Sequence, residues 1–513
     1  MNIRRYLILC GILAGWQILC EGQTLPVGQA SAGGQTQTSD GQASSGGQTQ
    51  SSPGQTSQST SNAGSGDDSS RIAPAPALSA VAGIGTEAGP DEMSSGLPQI
   101  PALLGGAGVS GAFLSEMERS NYLRGGVNVG AAYDTNPLLL SGDEVGSASV
   151  SVFPNISIQE STTRTRWTLG YAGGLTVNQR FTNQDEGSHN VNFDSQFRLS
   201  PHVNLRVAEN FSLTTGFFDA GNDTAVIAVA NGPNPSLISP LSTERSNLTT
   251  VETNYHFALD ELVGASGSFY DLHFTNIPTG TPLTELTNSQ TATGSAFWLR
   301  RIIGDDWVGL TYRFQRITFN PGGGETLVHS FLAVDTLNIS KRFTLTGFVG
   351  PQYYENQGLI PGGLPVVATN NSNNWSLAGG AEVGWRNLRN NLSAGFSRII
   401  TDGGGVLGTV RLQTVHADFR RQLTPAWVAH VNAGYGKNQA LLVPFAISAT
   451  SIDLTSAGFS LERNLNKSFG LHFGYRHDFQ QQFGVPGLVQ TLDASRNLVF
   501  VTLSYQWLKP LGM

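Results

Sequence analysis

Charged side chains recur at even spacing within otherwise apolar, glycine-rich stretches of this chain. Asp194 and Arg198 share one parity, as do Glu382 and Arg386, and again His472, Arg476 and Asp478. Arg313 and His430 are further members of the set. In an extended chain, residues an even number apart lie on one face. Each stretch would therefore turn its charges to one side. Both signs are present. Opposite charges facing each other across water set up a transverse field, which favours small polar solutes over apolar ones. The plainer reading is that they satisfy one another across a polar interior. Two more pairs, His416 with Asp418 and His477 with Asp478, have the residue types of an acid–base couple. His477 and Asp478 are adjacent, so a strand would point them apart. No Gly-x-Ser-x-Gly, P-loop, His-Glu-x-x-His or dinucleotide fingerprint accompanies them. The expectation is a protein that is not an enzyme and needs no cofactor or metal.

Strands are the elements that must position these charges. From Tyr122 onward, runs of roughly ten to fifteen residues alternate apolar and polar between turn residues. Trp375, Leu377, Gly379, Ala381, Val383 and Trp385 share one face, against Ser376, Ala378, Gly380, Glu382, Gly384 and Arg386. Trp167, Leu169, Tyr171, Gly173, Leu175 and Val177 repeat the pattern, as do Phe469, Leu471, Phe473 and Tyr475. The runs at 262–275 and 406–420 are mixed and do not declare their faces.

Tight turns fall near 160–163, 200–201, 259–261, 302–305, 340–342, 387–390, 422–425 and 464–467. Longer connections fall near 135–144, 181–188, 217–243, 276–286, 319–325, 357–373, 402–405, 438–449 and 482–491. Long and short alternate throughout, the layout of a transmembrane antiparallel up-and-down β-barrel with short periplasmic turns and longer outer loops. The series predicts an all-β fold of about 18 strands, with 16 as the alternative count. Both chain ends then lie on the periplasmic side. Ten residues at ~3.3 Å, tilted by ~40°, span about 25 Å, the height of a barrel's apolar band. Trp375 and Trp385 bracket one such span, and Trp427 and Tyr435 another. With Trp167 they are the expected aromatic girdle. The longest loop, 217–243, is the expected constriction, by analogy with the third loop of general porins.

Composition agrees with a two-faced barrel. Charged residues make up only 13 % of the chain, and 62 residues are Gly, where soluble domains carry about a quarter charged. The net charge of −8 argues against nucleic acid, because a binder of phosphate backbone needs a basic face. Arg4, Arg5 and the apolar run Tyr6–Cys20 read as a signal peptide over 1–22, too short to span a bilayer comfortably. Cys10 and Cys20, the only cysteines, lie in that segment. The stretch 23–120 reads as a largely disordered periplasmic arm. Its first part repeats Gly-Gly-Gln-Thr-Gln at 33–37 and 46–50 and cannot bury enough apolar surface to fold. A short helix around Phe113 to Arg119 is expected near its end. The barrel takes 121–513.

Two short motifs carry a family resemblance. Asn497 to Trp507 resembles the closing strand of Gram-negative outer-membrane barrels, with alternating apolar residues and a late aromatic. The resemblance implies that Tyr505 and Trp507 belong to a signal read by the barrel-assembly machinery. Most such proteins end at the aromatic, often Phe, whereas Leu508 to Met513 follow it here. Gly130 to Pro137, containing Tyr133-Asp134-Thr135-Asn136, is similar to the opening Tyr-Asp-x-Asn of a porin-like barrel family, some of whose relatives accompany exopolysaccharide export systems. The resemblance covers about residues 120–508. It implies a channel for small hydrophilic solutes in the outer membrane, with outer-membrane lipids as surroundings. The alternatives are a non-conducting surface, adhesion or tethering barrel and a component of polysaccharide export. The arm would meet peptidoglycan or a periplasmic partner. Porins are often trimers, so a homo-oligomer is the matching expectation.

Overall fold

The computed structural model describes residues 121–510, apart from 138, 140–144, 181–185, 216–242, 276–285, 304–305, 321–323, 341, 358–371, 406, 442–450, 467 and 484–491. The expected signal peptide, arm and short helix lie outside the described residues, as does nearly all of the 217–243 loop. Eighteen strands follow in order. They are β1 (Tyr122–Asp134), β2 (Ser147–Ser161), β3 (Thr165–Asn178), β4 (Glu186–Arg198), β5 (Val203–Thr215), β6 (Thr243–Ala258), β7 (Glu261–Thr275), β8 (Asn288–Ile303) and β9 (Asp306–Asn320). Then come β10 (Glu325–Ser340), β11 (Phe343–Gln357), β12 (Ser372–Arg386), β13 (Asn390–Gly403), β14 (Leu407–Thr424), β15 (Trp427–Ala440), β16 (Ser451–Asn464), β17 (Phe469–Phe483) and β18 (Leu492–Pro510). Each pairs antiparallel with its sequence neighbours, and β1 pairs with both β2 and β18. The sheet therefore closes as the eighteen-stranded up-and-down barrel.

One device recurs at the tight turns of one end. A side-chain oxygen at the turn's start accepts the backbone N–H groups two or three residues on, which replaces the ladder bonds lost there. Thr162, Ser200, Ser340, Asn387, Thr424 and Asn466 all do this. At the other end, two connections expected to be long are as short as turns. Strands run to Asn320 and Gly403 and resume at Glu325 and Leu407. Glycine clusters allow this: Gly404 and Gly405 take φ of 58° and 80°, a region that costs glycine little.

The two faces are clear on β9. Val308, Leu310 and Tyr312 are exposed, whereas Trp307, Thr311, Arg313, Gln315, Ile317 and Phe319 are buried. Buried residues of non-neighbouring strands touch one another, as Ser289 of β8 touches Asp402 of β13. The buried face is thus the interior. The outer face of β18 exposes Val499, Val501, Leu503, Tyr505 and Trp507. Aromatic rings collect on the same outer face. Tyr312, His329, Tyr353 and Trp375 form a chain across β9–β12 with centroids 5.3–6.4 Å apart. Trp385 lies against Phe343 at 6.3 Å, Trp167 donates to Glu160, and Arg463 sits over the Trp427 ring. The Tyr435 hydroxyl donates to Asp453.

Candidate functional site

The interior has two unlike sides. Over β17, β18 and β1–β6 its face is built mostly from Ser, Thr, Asn and Gln: Asn128, Ser147, Ser149, Thr168, Thr176, Asn178, Ser188, Asn190 and Gln480 are all buried there. Ion pairs interleave with them. Arg476 donates to Asp478 at 2.8 Å, and Arg496 to Asp134 at 2.6 Å. Arg206 of β5 donates through Nε to Asp194 of β4 at 2.9 Å.

On β7–β16 buried polar residues such as Thr291, Gln315 and Thr346 are joined by a large apolar cluster. Leu262, Phe297, Leu299, Trp307, Leu332, Val334, Phe348, Ile399, Val410, Leu412 and Ile452 form one buried cluster. This explains why 262–275 and 406–420 read as mixed: both faces of β7 and β14 meet apolar surroundings, lipid-like outside and cluster inside.

The tip of the β13–β14 hairpin joins that cluster by folding into the barrel. Strand parity would turn Ile400, Asp402 and Thr409 outward, yet all three are buried against interior residues of other strands. Ile400 packs on Val328 and Tyr354 of β10 and β11. Thr409 and Thr326 hydroxyls lie 2.6 Å apart. Asp402 accepts from Ser289 Oγ at 3.2 Å and from the Gly404 N–H at 3.0 Å. The Thr287 N–H donates to the Gly405 carbonyl at 2.8 Å. Phe274 of β7 presses so closely on Gly405 that a Cβ there would overlap its ring. The tip therefore reaches from its own place in the wall to the far strands β7 and β8. An eighteen-stranded barrel is wide enough for a water-filled interior, and this hairpin occupies part of that width. The 217–243 loop, expected to constrict the interior, lies almost wholly outside the described residues.

The nine candidate pore-lining residues sit on different walls and form no single site. Asp194 meets Arg206, and Arg198 is exposed at the end of β4 on the same parity. Arg313 is buried on β9 and donates to Gln315 at 2.9 Å. Glu382 and Arg386 share the β12 face of buried Ala378. His430 Nε2 lies 3.5 Å from Asp418. His472 meets the Phe500 ring edge-on at 5.1 Å. Of the acid–base pairs, His477 instead bonds Asn497 on the outer face, while Asp478 bonds Arg476 inside. Among the described residues no group of three His, Cys, Asp or Glu could hold a metal ion. Residues that sequence reasoning missed are Asp134, Arg496, Ser289 and Asp402. The Tyr-Asp-x-Asn motif marked the first, and nothing in period-two alternation marks the others.

No protein-family model matches the chain. No curated protein sequence matches it. Solved structures that resemble it include the outer-membrane protein OpdK from Pseudomonas aeruginosa, at 8 % identity and TM-score 0.39, covering 75 % of this chain and 99 % of that one. OpdQ from Pseudomonas aeruginosa aligns at 11 % identity and TM-score 0.38, over 77 % of this chain and 98 % of that one. The ferric-catecholate import receptor Fiu from E. coli K12 aligns at 9 % identity and TM-score 0.38, over 74 % and 81 %. The barrel assignment for this chain rests on its own strand pairing.

Proposed function

We propose that this chain is an outer-membrane, porin-like channel for passive diffusion of small hydrophilic solutes, with both ends of the chain on the periplasmic side. One observation carries the reading: the barrel turns apolar side chains outward while its interior over β17, β18 and β1–β6 is polar, with ion pairs of both signs. An outward apolar belt suits hydrocarbon, and a polar interior suits water. The test is single-channel recording of the purified, heat-modifiable protein in a planar bilayer. Discrete, salt-dependent steps support the channel. Silence from folded protein removes it.

The packed hairpin favours a second reading, a barrel that does not conduct and acts at the surface or as a tether through the 23–120 arm. The same recording separates the two. Outer-membrane lipids and the barrel-assembly machinery are the partners either reading requires.

A further inference from the structure

The cations at the tight-turn end of the barrel are unevenly matched. At the β6–β7 turn, Arg300 lies 3.6 Å from Glu261 and Arg301 bonds Asp260. The turn end of β12–β16 is built differently. Arg389 lies in the β12–β13 turn, Arg421 near the end of β14 and Arg463 near the end of β16, and all three are exposed. Arg421 shares the parity of Val415, and Arg463 that of Phe459, both exposed on the outer face. Among the described residues, the acidic side chain on the outer face of β12–β16 is Asp453. It sits at the opposite end of the barrel, beside Tyr435 and Lys437.

The three arginines are neighbours. The Gln422 N–H donates to the Arg389 carbonyl at 2.8 Å, which brings Arg389 beside Arg421. Arg421 pairs with Ala429, and Ala429 with Leu461, two residues before Arg463. Neighbouring strands are about 4.8 Å apart. Trp427 stands between the two, with Arg463 over its ring at 5.2 Å. Stacking uses the face of a guanidinium and leaves its N–H edge for an anion. Apolar side chains interleave with these cations. Leu388, next to Arg389, is 91 % exposed, and Leu423 and Leu465 are exposed beside Arg421 and Arg463. The outer apolar belt therefore reaches the turns. Cations at the rim of such a belt, beside an interfacial Trp, stand at headgroup depth.

We propose that the turn end of β12–β16 binds the phosphodiester of an anionic phospholipid. Arg389, Arg421 and Arg463 surround the phosphate, with Leu423, Trp427 and Leu465 against the glycerol and the first acyl carbons. Guanidinium groups match phosphate oxygens in pairs. A zwitterionic lipid fits less well, because its ammonium meets no carboxylate on this face. The inference rests on the outer-membrane reading above, in which the tight turns lie beside the phospholipid leaflet.

The test titrates the purified protein in detergent with phosphatidylglycerol and with phosphatidylethanolamine, following bound lipid by native mass spectrometry. Each cation near an anionic lipid surface is worth about five-fold in affinity, so losing three weakens binding by about a hundred-fold. The expected result is that R389Q/R421Q/R463Q loses that much for phosphatidylglycerol, while R389K/R421K/R463K and the rim control R300Q keep most of it. Heat-modifiability on a gel certifies that each variant is folded. Equal affinity of the triple glutamine variant and R300Q for phosphatidylglycerol, or equal affinity of the wild type for both lipids, overturns the site. Displacement of the lipid by millimolar inorganic phosphate overturns phospholipid as its ligand. Sedimentation of the chain with inner membranes would instead remove the outer-membrane reading, and the titration would still decide the lipid preference.

Discussion

Removing the inward hairpin tip should enlarge the channel, whereas cutting only its polar clasp should not. The reason lies in what holds the tip. Ile399, Ile400, Leu407 and Val410 are buried at its seat, and burying each such side chain is worth about 1.5–3 kcal/mol. Four of them give about 6–12 kcal/mol. The Ser289–Asp402 bond is worth about 1–3 kcal/mol once the partner left behind is included. Apolar burial thus outweighs the clasp. In Asp402→Ala the remaining term still keeps the open state below about one molecule in a thousand, so conductance should match the wild type. Replacing Ile399–Leu412 by Asn-Gly instead makes a two-residue hairpin between Arg398 and Gln413, which already pair. That variant should show larger single-channel steps in a planar bilayer. It should also unfold at lower temperature, since Val328 and Tyr354 lose their cover. A trimmed variant that folds yet keeps wild-type steps would refute the hairpin as the restriction. Enlarged steps from Asp402→Ala alone would refute the weighting of burial over the clasp.

Further expectations concern stability and selectivity. Asp134→Ala leaves Arg496 buried without its carboxylate, a change that costs about 3–5 kcal/mol; thermal unfolding in detergent should register it, and Arg496→Met on top should recover part. An additive double-mutant cycle there would argue against a direct pair. Gly405→Ala strains the 80° φ and drives a methyl into Phe274, so it should lower the unfolding temperature, with partial rescue by Phe274→Ala and none expected from Phe319→Ala. Asp194→Asn removes the carboxylate that Arg206 bonds, leaving Glu252 across the strand as its nearest acidic neighbour, and the reversal potential in a KCl gradient should move toward anions; no movement would place that pair off the ion path.

The barrel was legible because its local rules are simple. Period-two alternation and regularly placed turn residues indicate an up-and-down barrel of about eighteen strands without any knowledge of partners, and strand pairing settles the count and the closure. The Ser, Thr and Asn residues that cap the tight turns act within three residues of themselves, so they too can be read along the chain. Alternation fails where both faces of a strand see the same chemistry. β7 and β14 are ambiguous because the interior beside them is apolar, and the Ile399-Ile400 step breaks the pattern because the tip is buried on both sides. The connection near 402–405, expected to be long, is a short turn: glycines signal a turn, but not which way it folds. Parity assigns a side to each charge and says nothing of what it meets. That Asp194 meets Arg206, or His430 meets Asp418, depends on register between strands.

The two motifs that carried the family resemblance have a structural reason to exist that is independent of any channel. A barrel closes when its first strand finds its last, at the largest sequence separation in the fold, and an off-register match would turn the apolar face inward. Register at the C-terminal end of β1 is pinned by the Tyr-Asp-x-Asn motif. Asp134 takes Arg496, the Asn136 side chain donates to the Ser495 carbonyl, and Thr135 and Asn497 exchange bonds. At the other end Gly125 pairs with Trp507, whose ring fills the space a Cβ at Gly125 would need. Any slip would set Trp507 opposite a bulkier or oppositely facing residue. The same register accounts for the chain continuing past its late aromatic. β1 begins at Tyr122, ahead of Gly125, so β18 runs on to Pro510 to pair with it. Closure therefore sets both the length of the last strand and the place of its tryptophan.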